Sequence, residues 1–150
     1  MMANALDSLY QQVILDHSKQ RHGSGLRDGF LAEDHQLNPT CGDEITVRLH
    51  GDDALITGIS WEGQGCSISM ASASILSDLV AEGLSREQLA ERIELFRALM
   101  HSRGKGIEQD DEPLGDAVVL EGVSKFSARV KCGMLAWVAT EHAMTKEHGA

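Results

Sequence analysis

The chain has 150 residues, 42% of them hydrophobic and 24% charged, and its 23 acidic residues against 13 basic ones give a formal net charge of -10. This length suits a single domain spanning residues 1–150. Nucleic acids and anionic membrane surfaces attract lysine and arginine, so the acidic balance argues against both as partners. The N-terminus has no basic start followed by an apolar stretch, so we expect the cytoplasm, where the three cysteines stay reduced.

The first predicted element is an amphipathic helix over residues 4–19. Its apolar side chains recur at helical spacing: Leu6, Leu9, Tyr10, Val13 and Ile14. A long polar loop is predicted over residues 21–42, within which residues 30–37 could form an edge strand.

A β-hairpin is predicted next. The run EITVRLH, residues 44–50, alternates between apolar and polar side chains, which indicates a half-buried strand. Gly51-Asp52-Asp53 predicts a turn, and the residues from 55 to 61 predict the second strand. One face of that strand would carry Leu55, Thr57, Ile59 and Trp61.

Helices complete the predicted fold. EGQG, residues 62–65, ends the second strand, and Cys66 opens a helix that finishes before Gly83. Ser85 and Gln88 have capping-box spacing for the next helix. The helix that Cys66 opens has the apolar residues Ile68, Ala71, Ile75, Leu76 and Leu79. The apolar residues of the next helix are Leu89, Ile93, Phe96, Leu99 and Met100.

The last third of the chain begins with a polar connector over residues 103–116. A helix at about 116–126 follows, with Leu120, Val123 and Phe126, and Cys132 begins the last helix. The prediction is therefore an α+β domain, in which a small antiparallel sheet of about three strands has helices packed on one face.

The three cysteines all lie at predicted element boundaries. Cys41 precedes a strand, whereas Cys66 and Cys132 begin helices. Boundaries at one end of an α+β domain can meet in space although they are far apart in sequence. A helix N-terminus also lowers the pKa of a thiol, which favours thiolates at the two helix starts.

Asp43, two residues after Cys41, would raise the pKa of nearby thiols unless a cation lies between them. Three thiolates and one carboxylate, from Cys41, Cys66, Cys132 and Asp43, match a tetrahedral zinc site. Ordinary roles stay open: each cysteine alone could be a core or loop residue, and Asp43 could cap the strand entry. The seven histidines show no ligand spacing and are interpreted as surface or core residues.

The cysteines lie in three motifs, NPTCGDEITV, GQGCSISMASASIL and RVKCGMLAW. In order and spacing these resemble the motifs of the SufU proteins, which belong to the U-type family of iron–sulfur assembly proteins together with the IscU scaffold. The match extends from about residue 6 to 142. Lys131 stands where the scaffold has a histidine, and the scaffold's Leu-Pro-Pro-Val-Lys chaperone-docking motif is absent from the sequence.

The resemblance implies Zn²⁺ held by Cys41, Asp43, Cys66 and Cys132, with Cys41 as the sulfur acceptor that carries a persulfide and Arg129 beside the site. It implies a SufS-type cysteine desulfurase as partner, together with other SUF assembly proteins. The implied function is a zinc-dependent sulfur acceptor that relays sulfur into iron–sulfur cluster assembly. Such a protein is a sulfurtransferase-type partner of the desulfurase rather than a stand-alone enzyme.

Three other functions stay open. The same ligands could hold a transient iron–sulfur cluster, which would make the chain an assembly scaffold. A structural zinc domain is a second alternative, although such sites more often use closed cysteine and histidine sets. A cysteine hydrolase with Cys66 as nucleophile would need a glycine two residues later, where Ile68 stands.

Overall fold

The computed structural model describes residues 5–149, with side chains described for residues 8–147. Helix α1 (Ala5–Gln20) confirms the first predicted helix, while Asn4 and the Leu6 side chain lie outside the described residues. Leu9 is 58% exposed, so its predicted place on the buried face is wrong. The reason is that α1 is covered by α2 and a later 3-10 segment, and Leu9 lies on a side that neither covers.

Three strands form one antiparallel sheet in the order β1-β2-β3. They are β1 (Ala32–Asn38), β2 (Asp43–Gly51) and β3 (Ile56–Gln64). Strand β1 is the predicted edge strand, and β2 buries alternate side chains as predicted: Ile45, Val47 and Leu49. The sheet confirms the predicted fold class.

The pairing of β2 with β3 contains a β-bulge that the alternating pattern did not predict. Gly51 pairs with Ile56 and His50 with Gly58, which leaves Thr57 as the extra residue. A bulge shifts the alternation of side chains by one position. Ile56 therefore points into the core and Thr57 is exposed.

The predicted buried face of β3 is consequently half wrong. Ile59 and Trp61 are buried as expected, but Leu55 precedes the strand and is 40% exposed. The predicted end of the strand at residue 62 is also wrong, because pairing with β2 continues to Gln64.

Helices α2 (Ser67–Ala81) and α3 (Arg86–Met100) agree with the prediction. Cys66 is the N-cap of α2, and Gly83 adopts a φ of +87° just beyond its end. Ser85 and Gln88 form the predicted reciprocal capping box at the start of α3.

The helix expected at about 116–126 is instead a run of 3-10 turns over Glu112–Lys125. Gly115, with φ +53° and ψ -132°, interrupts the run directly before residue 116, and the turns that follow it are also 3-10. Leu120 and Val123 are buried as expected, whereas Phe126 is 61% exposed because it adopts an extended conformation at the end of the segment.

The last helix, α4 (Ser127–Gly149), begins earlier than predicted. Its first bonds run from the amides of Arg129 and Val130 to the Phe126 carbonyl. No glycine or proline separates Ser127 from Cys132, so nothing delays the helix until the cysteine. Cys132 consequently lies in the second turn.

Helix α4 packs against β1 and β2, and α2 packs against β3. The core between sheet and helices contains the largest fully buried side chains, among them Trp61, Phe96 and Trp137. Among residues 5–149, no helix combines the length and apolar character needed to cross a membrane.

Candidate metal centre

An open pocket of about 560 Å³ brings together all the site residues that the sequence predicted. Its lining includes Cys41, Asp43, Cys66, Arg129 and Cys132. These residues come from the β1–β2 loop, the start of β2, the N-terminus of α2 and the first turns of α4. The fold thus joins segments that are far apart in the sequence.

Cys41 lies on the short loop that joins β1 to β2, and its side chain is exposed. The Asn38 side chain accepts a hydrogen bond from the Thr40 amide at 3.1 Å, and the Asn38 carbonyl accepts one from the Gly42 amide at 2.7 Å. Gly42 has a φ of +76°, in the region that glycine adopts most readily. This turn presents the Cys41 thiol at the mouth of the pocket.

Asp43, the first residue of β2, is only 2% exposed. Its Oδ1 accepts the Cys66 amide at 2.9 Å, and its Oδ2 accepts the Ser69 hydroxyl. Burial raises the pKa of Asp43, but hydrogen bonds from Ser69, Cys41, the Cys66 amide and Cys132 lower it by more, to about 2. Asp43 is therefore a carboxylate at neutral pH.

Ser69 and Gly65 complete the surroundings of the carboxylate and were not predicted from the sequence. Ser69 occupies the N3 position of α2, three residues after the N-cap Cys66, and that spacing was the available signal. At Gly65 an added Cβ would lie 2.4 Å from Asp43 Oδ1. The glycine thus leaves the space that the carboxylate fills.

Cys132 is 2% exposed, and its Sγ lies 3.4 Å from the Cys41 Sγ. Burial, the Asp43 carboxylate and the thiols of Cys41 and Cys66 raise its pKa well above the usual thiol range. The prediction that a helix N-terminus lowers this pKa is wrong, since Cys132 lies beyond the first turn of α4, where the effect of the dipole fades.

The donor set fits a zinc ion. One ligand atom each from Cys41, Asp43 and Cys132 lies within 4.8 Å of the others. Cys66 is outside that group of three, but its Sγ lies 3.3 Å from Asp43 Oδ2. Thiolates favour zinc, and a carboxylate completes a tetrahedral set.

Two basic residues, Arg129 and Lys131, lie close to Cys132 in the sequence. Arg129 is exposed in the first turn of α4 and lines the pocket. Lys131 is also exposed but is not among the described residues that line it. Of the two, Arg129 is therefore the one placed to act on the cluster.

Comparison with known proteins gives consistent matches. The family model described as NifU-like N terminal domain matches residues 9–133, a span that includes all three cysteines. The zinc-dependent sulfurtransferase SufU of Bacillus subtilis (strain 168) is 41% identical over 145 residues, which cover 96% of this chain and 95% of the relative. The iron–sulfur cluster assembly scaffold protein IscU of Streptococcus pyogenes serotype M1 is 38% identical over 151 residues, with 100% and 91% covered.

Solved structures share the fold. FiSufU from Fervidobacterium islandicum AW-1, described as a scaffold protein for the SUF system, has a TM-score of 0.81 at 28% identity, with 91% of this chain and 96% of that chain covered. An N-terminal NifU-like protein from Brucella abortus has a TM-score of 0.82 at 20% identity, with 97% and 99% covered, and supports the fold alone. The chain therefore belongs to the family of NifU-like N-terminal domains, which confirms the resemblance to U-type iron–sulfur assembly proteins.

Proposed function

We propose that this protein is a zinc-dependent sulfur acceptor that takes persulfide sulfur from a SufS-type cysteine desulfurase. The sulfur would pass to other SUF assembly proteins for iron–sulfur cluster assembly, in the cytoplasm. The observation that carries the proposal is the unequal exposure of the three thiols: Cys41 is exposed, Cys66 is half-buried and Cys132 is buried. Among them, Cys41 is the thiol that a persulfide on another protein can reach most easily.

The proposed zinc ligands are Cys41, Asp43, Cys66 and Cys132. When bound, the ion would keep its cysteine ligands deprotonated at neutral pH without taking part in electron transfer. Asp43 need not lose a proton to bind the ion, because its pKa of about 2 already makes it a carboxylate at neutral pH. Cys66 and Cys132 belong to helical segments and would hold the site in place while the Cys41 loop moves.

The proposed transfer is a thiol–disulfide type exchange. The Cys41 thiolate attacks the terminal sulfur of the persulfide on the desulfurase cysteine. A sulfur–sulfur bond forms on Cys41 while the bond in the donor breaks, and the donor cysteine leaves as a thiolate with the electron pair. The exchange needs no external oxidant or reductant. Arg129 lines the same pocket, and its proposed role is to offset the negative charge of the thiolates.

A second candidate is a scaffold on which the iron–sulfur cluster itself is built. The names of the Streptococcus relative and of the Fervidobacterium structure favour it. Cysteines and one aspartate can also ligate such clusters, so the ligand set suits both functions. Lys131, in the position where the scaffold has a histidine, favours the sulfur acceptor.

The test is the rate of the cysteine desulfurase with zinc-loaded protein, demetallated protein or zinc-loaded Cys41→Ala. We expect a many-fold rise in rate with the zinc-loaded protein and little with the other two, together with a persulfide on Cys41 detectable by mass spectrometry. If zinc gives no gain and sulfur accumulates only when iron is supplied, the scaffold function replaces this proposal.

A further inference from the structure

A second group of metal-ligating side chains lies away from the cysteines. It consists of His17 near the end of α1, His22 in the loop that follows and Asp78 on α2. One nitrogen of each histidine and one carboxylate oxygen of Asp78 lie within 4.8 Å of one another. Along α2, Asp78 is about 18 Å from Cys66 at 1.5 Å per residue, so the group is separate from the cysteine cluster.

Both histidines are held by the same hydroxyl. Ser74 Oγ lies 2.8 Å from Nδ1 of His17 and accepts the backbone amide of His22 at 2.9 Å. Ser74 is fully buried, and His17 is 6% exposed. The hydrogen bond at Nδ1 therefore fixes the orientation of the His17 ring. In metal sites, imidazoles are usually oriented in the same way, by a hydrogen bond at the nitrogen that does not bind the metal.

The loop that carries His22 is also tightly held. The Trp61 indole donates to the His22 carbonyl at 2.7 Å, and the Trp61 amide donates to the Gly23 carbonyl at 3.0 Å. Gly23 has a φ of +84°, and an added Cβ would overlap the Ser77 hydroxyl. His22 thus stands in one position beside α2.

The charges around the group suit a cation. His22 Nδ1 lies 2.8 Å from one oxygen of Asp78, and His17 Nε2 lies 3.4 Å from a carboxylate oxygen of Asp116. The charges of the Asp78 and Asp116 carboxylates can balance one divalent ion held by the two imidazoles. The side chains of His22 and Asp78 are 39% and 51% exposed, so an ion can enter from solvent.

We propose that His17, His22 and Asp78 form a second site for a divalent transition-metal ion, with Asp116 as a neighbouring carboxylate. Two imidazoles and a carboxylate suit zinc and similar first-row ions, and three protein ligands leave a position open for water. Because the site has no thiolate, it is chemically distinct from the cysteine cluster. The inference does not rest on sulfur transfer.

The test is the number of zinc ions that the tag-free protein binds in equilibrium dialysis against Zn²⁺ alone. His22→Gln and Asp78→Asn should each bind one ion fewer per chain than the unaltered protein, whatever the cysteine cluster holds. The matched control is His35→Gln, because His35 is an exposed histidine paired with Glu44 at 2.7 Å and belongs to no group of three possible metal ligands among the described residues. It should bind as many ions as the unaltered protein.

A spectroscopic measurement on the unaltered protein guards against variants that fold poorly. Zinc added after the cysteine cluster is filled should move the ring ¹⁵N resonances of His17 and His22 but not those of His35. If those resonances stay in place, or if the two variants retain the full number of ions, the group is a hydrogen-bonded histidine–aspartate network and the proposal is overturned.

Discussion

Asp43 is the residue on which the contacts of the cysteine cluster converge. The Cys66 amide, the Ser69 hydroxyl and the neighbouring thiols all direct hydrogen bonds to its buried carboxylate. Its position depends on the space left by Gly65. A change that moves this one carboxylate should therefore affect the whole proposed metal site.

Gly65→Ala tests that dependence. The new Cβ would overlap Asp43 Oδ1 and Cγ, and the φ of +156° lies in a region that L residues rarely adopt. We expect zinc affinity to fall by roughly 10- to 100-fold, the range seen when groups that orient ligands are disturbed. A competition titration against a chelator of known affinity measures it.

The matched control is Gly122→Ala, because an added Cβ at Gly122 meets no atom within 4 Å. Its zinc affinity should equal that of the unaltered protein. Equal affinities for the Gly65 and Gly122 variants would contradict the orienting role of Asp43.

His50 gives a prediction on pH. It is 8% exposed and lies 2.7 Å from the Ser60 hydroxyl. Burial, together with the charges of Arg27 and Arg48, lowers its pKa below the ordinary value of 6.5. Below that pH the unfolded chain binds a proton that the folded chain resists, so the free energy of unfolding falls as the pH drops.

Replacing His50 by Gln should make the free energy of unfolding depend less on pH. At pH 8, where the histidine is neutral in both states, the variant and the unaltered protein should differ only by a constant free energy. Urea denaturation of both demetallated proteins at pH 8, 6.5 and 5.5 measures the difference. Parallel pH profiles would show that His50 is not responsible.

At the scale of elements, the contact between α2 and α4 decides whether Cys66 and Cys132 meet. Ser72 of α2 is fully buried, donates to the Gly133 carbonyl at 2.6 Å and accepts the Trp137 indole N–H at 2.9 Å. A single hydroxyl thus joins the two helices one residue beyond Cys132.

Ser72→Ala removes both hydrogen bonds and leaves the indole N–H without this acceptor in the core. We expect the free energy of unfolding to fall by about 2 kcal/mol, since a buried polar group without its partner costs about 1–3 kcal/mol. Urea denaturation measures it. Ser8→Ala, at an exposed position of α1, should change it by less than about 0.5 kcal/mol, and a similar small change for Ser72 would refute the role given to its hydroxyl.

Elements with strong local signals were predictable, and those decided by pairing were not. The capping box of Ser85 and Gln88 depends on two residues close in sequence, and it is present in the structure. The bulge at Thr57 depends on the register between β3 and β2. The alternating pattern of a single strand carries no information about that register. The start of α4 at Ser127 differs from the prediction because no glycine or proline lies between Ser127 and Cys132 to delay the helix.

At the scale of the whole molecule, the proposed zinc ligands join the β1–β2 loop and the start of β2 to α2 and α4. The ligand types could be read from the three motifs. The convergence of Cys41 and Cys132, which are 91 residues apart, depends on the packing of α4 against the sheet. The same holds for His17 and Asp78, whose separation in sequence concealed the second group.

Because these ligands meet only in the folded chain, zinc should stabilise it by mass action. At free zinc about 100 times the Kd, the gain is about 2.7 kcal/mol, which for a domain of this size raises Tm by roughly 5–10 °C. Differential scanning calorimetry before and after chelation measures the shift.

Cys41→Ala is the informative variant, because Cys41 is exposed and contributes little to the core. Without metal it should unfold near the Tm of the demetallated unaltered protein, and its gain with zinc should be smaller. An undiminished gain would remove Cys41 from the ligand set.

The distance along the chain between Cys41 and Cys132 also bears on biosynthesis. A growing chain exposes Cys41, Asp43 and Cys66 long before the ribosome has made α4. Until that helix emerges and docks on the sheet, the nascent chain carries two thiols without their third. Any ion that requires all four side chains can therefore be acquired only once translation has passed Cys132. An ion bound earlier would be held by an incomplete and more reactive set of ligands.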